Sequence, residues 1–259
     1  MGVEYAKRAE NPALSVVIPS VPEYDHRPTV AHLDDQTFEK PYEVLIVNDG
    51  SLDRSAARNE GLRQASAEVV ALTDDDTKPP KEWLATIHRE FRADSDLVCL
   101  EGPVYGGSRN FAPRHYVGCN LAVRREPALE VGGFRSTYSE WREDIEFGWR
   151  MEAEADGVCR YSEDVRMCHP ETPRTAFKPD LERQLREEYP ERYDEVLNAS
   201  VFRRVYRRAR ALGLTQPIQR SLNEVRRLLG DSNVAWLEAE QDADVPRSAE
   251  RDVEENPRV

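Results

Sequence analysis

Lysine is nearly absent from this chain. Of its 36 basic residues only five are Lys, against 49 Asp and Glu, so its 259 residues carry a formal charge of −13. Phosphates would be repelled by that field, which excludes nonspecific nucleic-acid binding. Scarce Lys, abundant Asp and Glu and a 39% hydrophobic content predict adaptation to molar salt, where a dense negative surface keeps a chain soluble. No run approaches 18 consecutive apolar residues, and the N-terminus has no charged-then-apolar pattern. The expectation is therefore a cytoplasmic protein that neither spans a membrane nor is exported. The four cysteines, Cys99, Cys119, Cys159 and Cys168, lack paired metal spacing and read as reduced thiols. No glycine lies between Pro19 and Pro28, which removes a glycine-rich phosphate loop from the first candidate strand.

What is present is a cluster that folding alone would avoid. Asp74, Asp75 and Asp76 follow the apolar stretch 68–72 directly. If the strand continued through them, Asp74 and Asp76 would share one face and Asp75 would take the other. Two hard oxygen ligands side by side suit Mg²⁺ or Mn²⁺, ions that combine carboxylates with substrate phosphates, so the natural ligand is a diphosphate. The competing reading is an acidic turn ended by Pro79 and Pro80.

Short apolar runs at 14–19 and 42–47 read as buried strands. After the second, Asn48-Asp49-Gly50-Ser51-Leu52-Asp53 supplies a sharp turn and a cap, by Ser51 or Asp53, for a helix over 54–65. Strand, helix and strand in this order predict a parallel sheet, whose ligands bind beyond the carboxyl ends of the strands, where Asp49 and the Asp cluster lie. Further on, 119–123 reads as a strand, and Gly132-Gly133-Phe134 as a turn before a mobile loop at 135–141. Glu143 and Asp144 open an amphipathic helical stretch with Ile145 and Trp149 on one face. Carboxylates at a helix start are also favoured by its dipole, so a simple cap competes with a chemical role for this pair.

Taken together, Val17-Ile18-Pro19, Asn48-Asp49-Gly50-Ser51, Ala57-Arg58-Asn59-Glu60-Gly61-Leu62, Asp74-Asp75-Asp76, Gly118-Cys119-Asn120-Leu121-Ala122-Val123-Arg124-Arg125, Gly132-Gly133-Phe134, Glu143-Asp144 and Phe147-Gly148 form an ordered series. The series resembles the inverting family 2 glycosyltransferases. That resemblance implies an α/β GT-A fold, a mixed sheet flanked by helices, with a nucleotide-sugar donor and Mg²⁺ or Mn²⁺ as cofactor. It implies that Pro19 and Asp49 lie at the nucleotide, that Arg58 approaches the nucleotide or its phosphates, and that Asp74 or Asp75 lies near the ribose. Asn120 would contact the donor sugar. Asp76, with Asp74 and His169, would hold the metal.

By the same resemblance Asp144 matches the base that removes the acceptor proton, with Glu143 beside it. Should Asp144 be only a helix cap, Asp164 and Glu146 are the next candidates. The implied reaction is direct displacement at the anomeric carbon with inversion. Many members act on polyprenyl- or dolichyl-phosphate-linked glycans, so peripheral contact with the inner membrane face is implied too. Two departures stand out. Ser20-Val21-Pro22-Glu23-Tyr24-Asp25 replaces the Tyr-Asn pair that many members carry after the first Pro, and no Gln-x-x-Arg-Trp signature of the processive synthases occurs, which favours single-sugar addition.

The expected organisation is a loose leader at 1–11, a catalytic domain at 12–175, a helical extension at 176–240 and an acidic, disordered tail at 241–259. Within the extension, the basic stretch 202–210 could face anionic lipid or pack its arginines against surface acids. The rival functional classes are a nucleotidyltransferase and a non-catalytic binding protein on the same fold.

Overall fold

The structure is a computed structural model and describes residues 2–107, 110, 112–139, 141–170 and 176–198. The stretch 202–210, most of the expected extension and the expected tail lie outside these residues.

Chain order gives β1 (Val3–Lys7), β2 (Leu14–Ser20), α1 (Arg27–Asp34), β3 (Tyr42–Asn48), α2 (Arg54–Gln64), β4 (Val69–Leu72), α3 (Trp83–Ala93) and β5 (Leu97–Glu101). These are followed by β6 (Val104–Gly106), β7 (Leu121–Arg124), α4 (Arg125–Glu130), α5 (Glu143–Glu154), β8 (Val158–Tyr161), β9 (Met167–His169) and α6 (Pro179–Glu188). Seven strands form one mixed sheet in the order β1-β3-β2-β4-β7-β5-β8, and β6 pairs with β9 in a small second sheet. The expected parallel unit is its centre, β3-β2-β4, while β7 runs antiparallel to both β4 and β5.

The central strands are apolar on both faces because both are covered. Val17, Leu45, Val47, Val70 and Leu72 point into a core shared with α2 and α5, to which Ala57, Leu62, Ile145, Phe147 and Trp149 contribute. Their strand neighbours Val16, Ile18, Val44, Ile46 and Ala71 enter the opposite core, built with Leu33 of α1 and Trp83, Leu84, Ile87 and Phe91 of α3. Gly61 is required where α2 crosses β2, since a Cβ there would lie 2.2 Å from a methyl of Val17.

Three local expectations change. The leader is not loose: 3–7 form β1, antiparallel to β3, with the alternating burial of a half-covered edge strand. The stretch 118–120 is a 3₁₀ turn, and the strand begins at Leu121, where pairing with β4 starts. The loop expected to be mobile is packed in its described part: Tyr138, Ser139 and Trp141 are buried, and the Ser139 hydroxyl donates to Asp53 while accepting from the amide of Ser55.

Residues 179–197, assigned from sequence to an extension, are helical for most of their length and bury Leu185, Tyr193, Val196 and Leu197 in the same core as α5. Glu182 fastens this segment. Its carboxylate accepts from the Trp141 indole, from Arg142 Nε at 3.1 Å and from the Tyr193 hydroxyl. Burial alone would raise its pKa, yet Arg142 and these donors outweigh it and bring the group down to about 2.

Candidate active site

The acidic run sits on a turn. β4 stops at Leu72, and the amide of Thr73 still bonds Val17 O at 3.1 Å. Thr73 and Thr77 then join their hydroxyls at 2.7 Å, and Thr77 Oγ1 donates to Asp74 O at 2.9 Å, which closes the chain around the three aspartates. Asp74 and Asp76 do come to one side, as strand alternation predicts, but through this turn and not through pleating. Asp75 is 5% exposed and accepts from Ser20 Oγ at 2.8 Å, at the end of β2.

A second contact brings the imidazole. The Lys78 amide donates to Cys168 O at 2.8 Å and thereby lays β9 against the turn. His169 Nε2 then lies 3.4 Å from Asp76 Oδ1 and 4.0 Å from Asp74 Oδ2. Two carboxylates and one imidazole nitrogen make a hard-to-borderline donor set that fits Mn²⁺ well and Mg²⁺ through its oxygens.

Arg58, expected near the nucleotide or its phosphates, is occupied by carboxylates. It is 2% exposed and lies behind the carboxylates, with Nη1 on Glu143 at 2.9 Å and Nη2 on Asp74 at 3.2 Å. Glu60 takes no part in this, since its partner is Arg63. Burial works against the Arg58 charge, but Asp74, Glu143 and Asp144 together hold its pKa above the ordinary value. The guanidinium therefore keeps three carboxylates close together and leaves little of itself for a phosphate. Gly118 follows from this, as a Cβ there would sit 2.5 Å from Arg58 Nη2.

Asp144 lies in the first turn of α5, whose N-cap is Arg142 in a left-handed conformation with φ 69° and no side-chain cap bond. Asp144 is not the helix cap. Its Oδ1 accepts from the Ile145 amide at 2.8 Å and its Oδ2 from the Gly118 amide at 2.9 Å. The residue keeps part of its surface open. Desolvation, reinforced by the neighbouring Glu143, outweighs Arg58 and the two amides and raises its pKa to about 6. A carboxyl at that value is ionised near neutrality and more basic than an ordinary Asp.

The remaining expected residues divide. Asp49, at the carboxyl end of β3, accepts from both the amide and the hydroxyl of Ser51, at 3.0 and 2.6 Å, and these bonds lower its pKa. Asp53, in place of Ser51, caps α2 by accepting from the Ala56 amide. Pro19 stands near the end of β2, beside Val47 of β3. Asn120, expected at the donor sugar, is held by protein partners. It is 0% exposed, accepts from the Trp83 indole at 2.9 Å and donates to Pro103 O and Val165 O, so its amide ties α3 to the loops beneath the site. Glu146 forms a buried pair with Arg150, and Asp164 is exposed near Arg89.

Two site residues were missed. Arg54, 42% exposed at its side chain, reaches Glu143 with Nη1 at 2.9 Å; burial acts to raise the Asp74 pKa, and Arg54 joins Arg58 and His169 in lowering it. Its signal was its place one helical turn before Arg58, on the same face of α2. Cys119 places its sulfur beside Asp74 and His169, and nothing in its local sequence announces this.

Residues 52–155 match Glycosyl transferase family 2, a stretch running from the entry of α2 through α5 and containing Arg58, the Asp turn and Asp144. This segment is therefore similar to the family 2 glycosyltransferases. The hyaluronan synthase of Pasteurella multocida is 26% identical over 150 residues, which cover 48% of this chain and 15% of that protein. The glucosyl-dolichyl phosphate glucuronosyltransferase of Haloferax volcanii is 27% identical over 116 residues, covering 35% of this chain and 37% of that protein. The chain thus spans well under half the length of these curated relatives. Among solved structures, the mannosyltransferase of Pyrobaculum calidifontis in complex with GDP-Man and Mn²⁺ superposes with a TM-score of 0.51 at 13% identity, covering 90% of this chain and 80% of that one. The described residues accordingly have the mixed-sheet GT-A fold, and no described helix is long and apolar enough to cross a membrane.

Proposed function

We propose that this domain transfers a single sugar from a nucleoside-diphosphate sugar to a hydroxyl acceptor, with inversion at the anomeric carbon. The observation that carries this reading is the join made by Arg58, which links the Asp74 carboxylate on the turn to Glu143 at the start of α5, beside Asp144. Donor-side and acceptor-side groups are thereby locked into one frame, as a displacement reaction requires.

Asp144 takes the proton from the acceptor hydroxyl as that oxygen attacks. The Gly118 amide fixes one of its oxygens, and Glu143, held by Arg54 and Arg58, orients the start of α5. Asp49 and Asp75, at the ends of β3 and β4, serve the nucleoside, with Pro19 forming the wall between them. Asp74, Asp76 and His169 would hold Mg²⁺ or Mn²⁺, and the bound ion would supply positive charge against the departing diphosphate. Arg54, the more exposed of the two guanidiniums, adds charge at the same edge.

The acceptor is a lipid-linked sugar phosphate. The Haloferax volcanii relative, named for a glucosyl-dolichyl phosphate, supports this class, and the acidic Lys-poor composition supports a high-salt setting at the cytoplasmic face of the membrane. The experiment is to incubate the chain in molar KCl with a panel of nucleotide sugars and lipid-phosphate acceptors, with and without Mn²⁺. Metal-dependent release of a nucleoside diphosphate coupled to a one-sugar increment in acceptor mass is expected. Release of pyrophosphate instead would assign a nucleotidyltransferase, and no turnover with any donor would assign a binding protein.

A further inference from the structure

Cys119 lies beside the acidic turn. Its sulfur, a carboxylate oxygen of Asp74 and a ring nitrogen of His169 all fall within 4.8 Å of one another. Three separate elements converge to make this set: the turn after β4, the 3₁₀ turn before β7, and the end of β9. The thiol is 1% exposed and borders an apolar core, and its burial, with Asp74, Asp144 and Asp76 nearby, raises its pKa, a cost that ion binding has to meet.

We propose that Asp74, Cys119 and His169 form a site for a thiophilic divalent cation, Zn²⁺ foremost, which competes with the ion held by Asp74, Asp76 and His169. One oxygen, one nitrogen and one sulfur are a tetrahedral zinc set with the fourth position left for water or a phosphate oxygen. Zn–N and Zn–O bonds of about 2.0–2.2 Å and a Zn–S bond of about 2.3 Å put tetrahedral ligand atoms roughly 3.5 Å apart, so small side-chain rotations suffice. Zn²⁺ also stands above Mn²⁺ in intrinsic affinity for such donors. On binding, the thiol proton passes to solvent and the sulfur becomes a thiolate ligand. An ion so placed takes Asp74 and His169 away from the hard ion and draws the charge towards Cys119, which makes Zn²⁺ an inhibitor that a hard-ion site of Asp and His alone would resist better.

The site shares two ligands with the proposed transfer centre but is read without turnover. The purified chain is titrated with Cd²⁺, and the thiolate-to-metal charge-transfer band is followed in the near ultraviolet. One equivalent is expected to saturate the band in the wild type, Zn²⁺ to abolish it, Cys119→Ser to remove it and Asp76→Asn to retain it. An unchanged band in Cys119→Ser would move the ligand to another thiol, such as Cys168, and overturn the proposal. If Cys119→Ser does not fold, His169→Gln replaces it and should weaken Cd²⁺ binding by at least the roughly 10–100-fold typical of disturbing a metal site's supporting shell, while undiminished affinity overturns the proposal. Mn²⁺ calorimetry on the wild type separates the two ideas: Mn²⁺ binding without a Cd²⁺ band removes the thiolate site alone, and binding of neither ion removes both.

Discussion

The guanidinium of Arg58 and the carboxylate of Glu143 meet at 2.9 Å with side-chain exposures of 2% and 4%. A buried pair of this kind contributes little net stability over a well-packed apolar pair, but removing one partner leaves an uncompensated charge. Here three carboxylates surround this cation. Arg58→Met is expected to destabilise the fold by about 3–5 kcal/mol and to raise the Asp144 pKa further. Denaturant melts measure the first effect, and the acid limb of the rate profile, moved to higher pH, measures the second.

The pH dependence has a definite sign. Asp144 must be ionised to accept a proton, and its carboxyl is raised from 3.8 to about 6. Transfer should therefore fall below about pH 6, approaching a tenfold loss per unit. Its effect on stability runs the other way: the contribution of this group is fully present below the ordinary value and is lost as pH rises through 6. Glu182 opposes it, since its pKa is lowered from 4.5 to about 2 and its contribution, present above 4.5, is lost as pH falls through 2. A rate profile with no acid limb between pH 5 and 7 would contradict the assignment.

Much of this was legible in the sequence, and the boundary of legibility is physical. Strand and turn chemistry is local, so 14–19, 42–47 and the helix after Asp53 stand close to where the pattern puts them. The approach of Asp144 and His169 to the Asp turn followed only from the ordered motif series, because it is made by long-range contacts. The side-chain partners were not legible. Asn120 is committed to Trp83, Pro103 and Val165, and Arg58 to Glu143, and no local pattern encodes partners that distant in the chain. β1 was missed because five residues of weak alternation are too short to signal a strand without its partner β3.

Charge balance gives a separate prediction. With 49 acidic and 36 basic residues, self-repulsion opposes the compact state in dilute buffer. Screening at molar salt shortens the range of that repulsion to about 3 Å. The thermal midpoint should rise steadily through a KCl series from dilute buffer into the molar range. A flat or falling midpoint would remove the case for salt adaptation.

The central claim is that Asp144 is the proton acceptor of a sugar transfer. Asp144→Asn preserves the shape of the side chain and one oxygen that can still accept from Gly118 or Ile145, but it cannot take a proton. Donor affinity should stay within about twofold while transfer falls at least about 10²-fold, the lower end of what a positioned base contributes. Glu143→Gln, which acts through orientation, should retain more activity. Measuring donor affinity by calorimetry and transfer rate on one acceptor preparation decides the matter: retained binding with lost transfer is the predicted result, and near wild-type transfer by Asp144→Asn would contradict it.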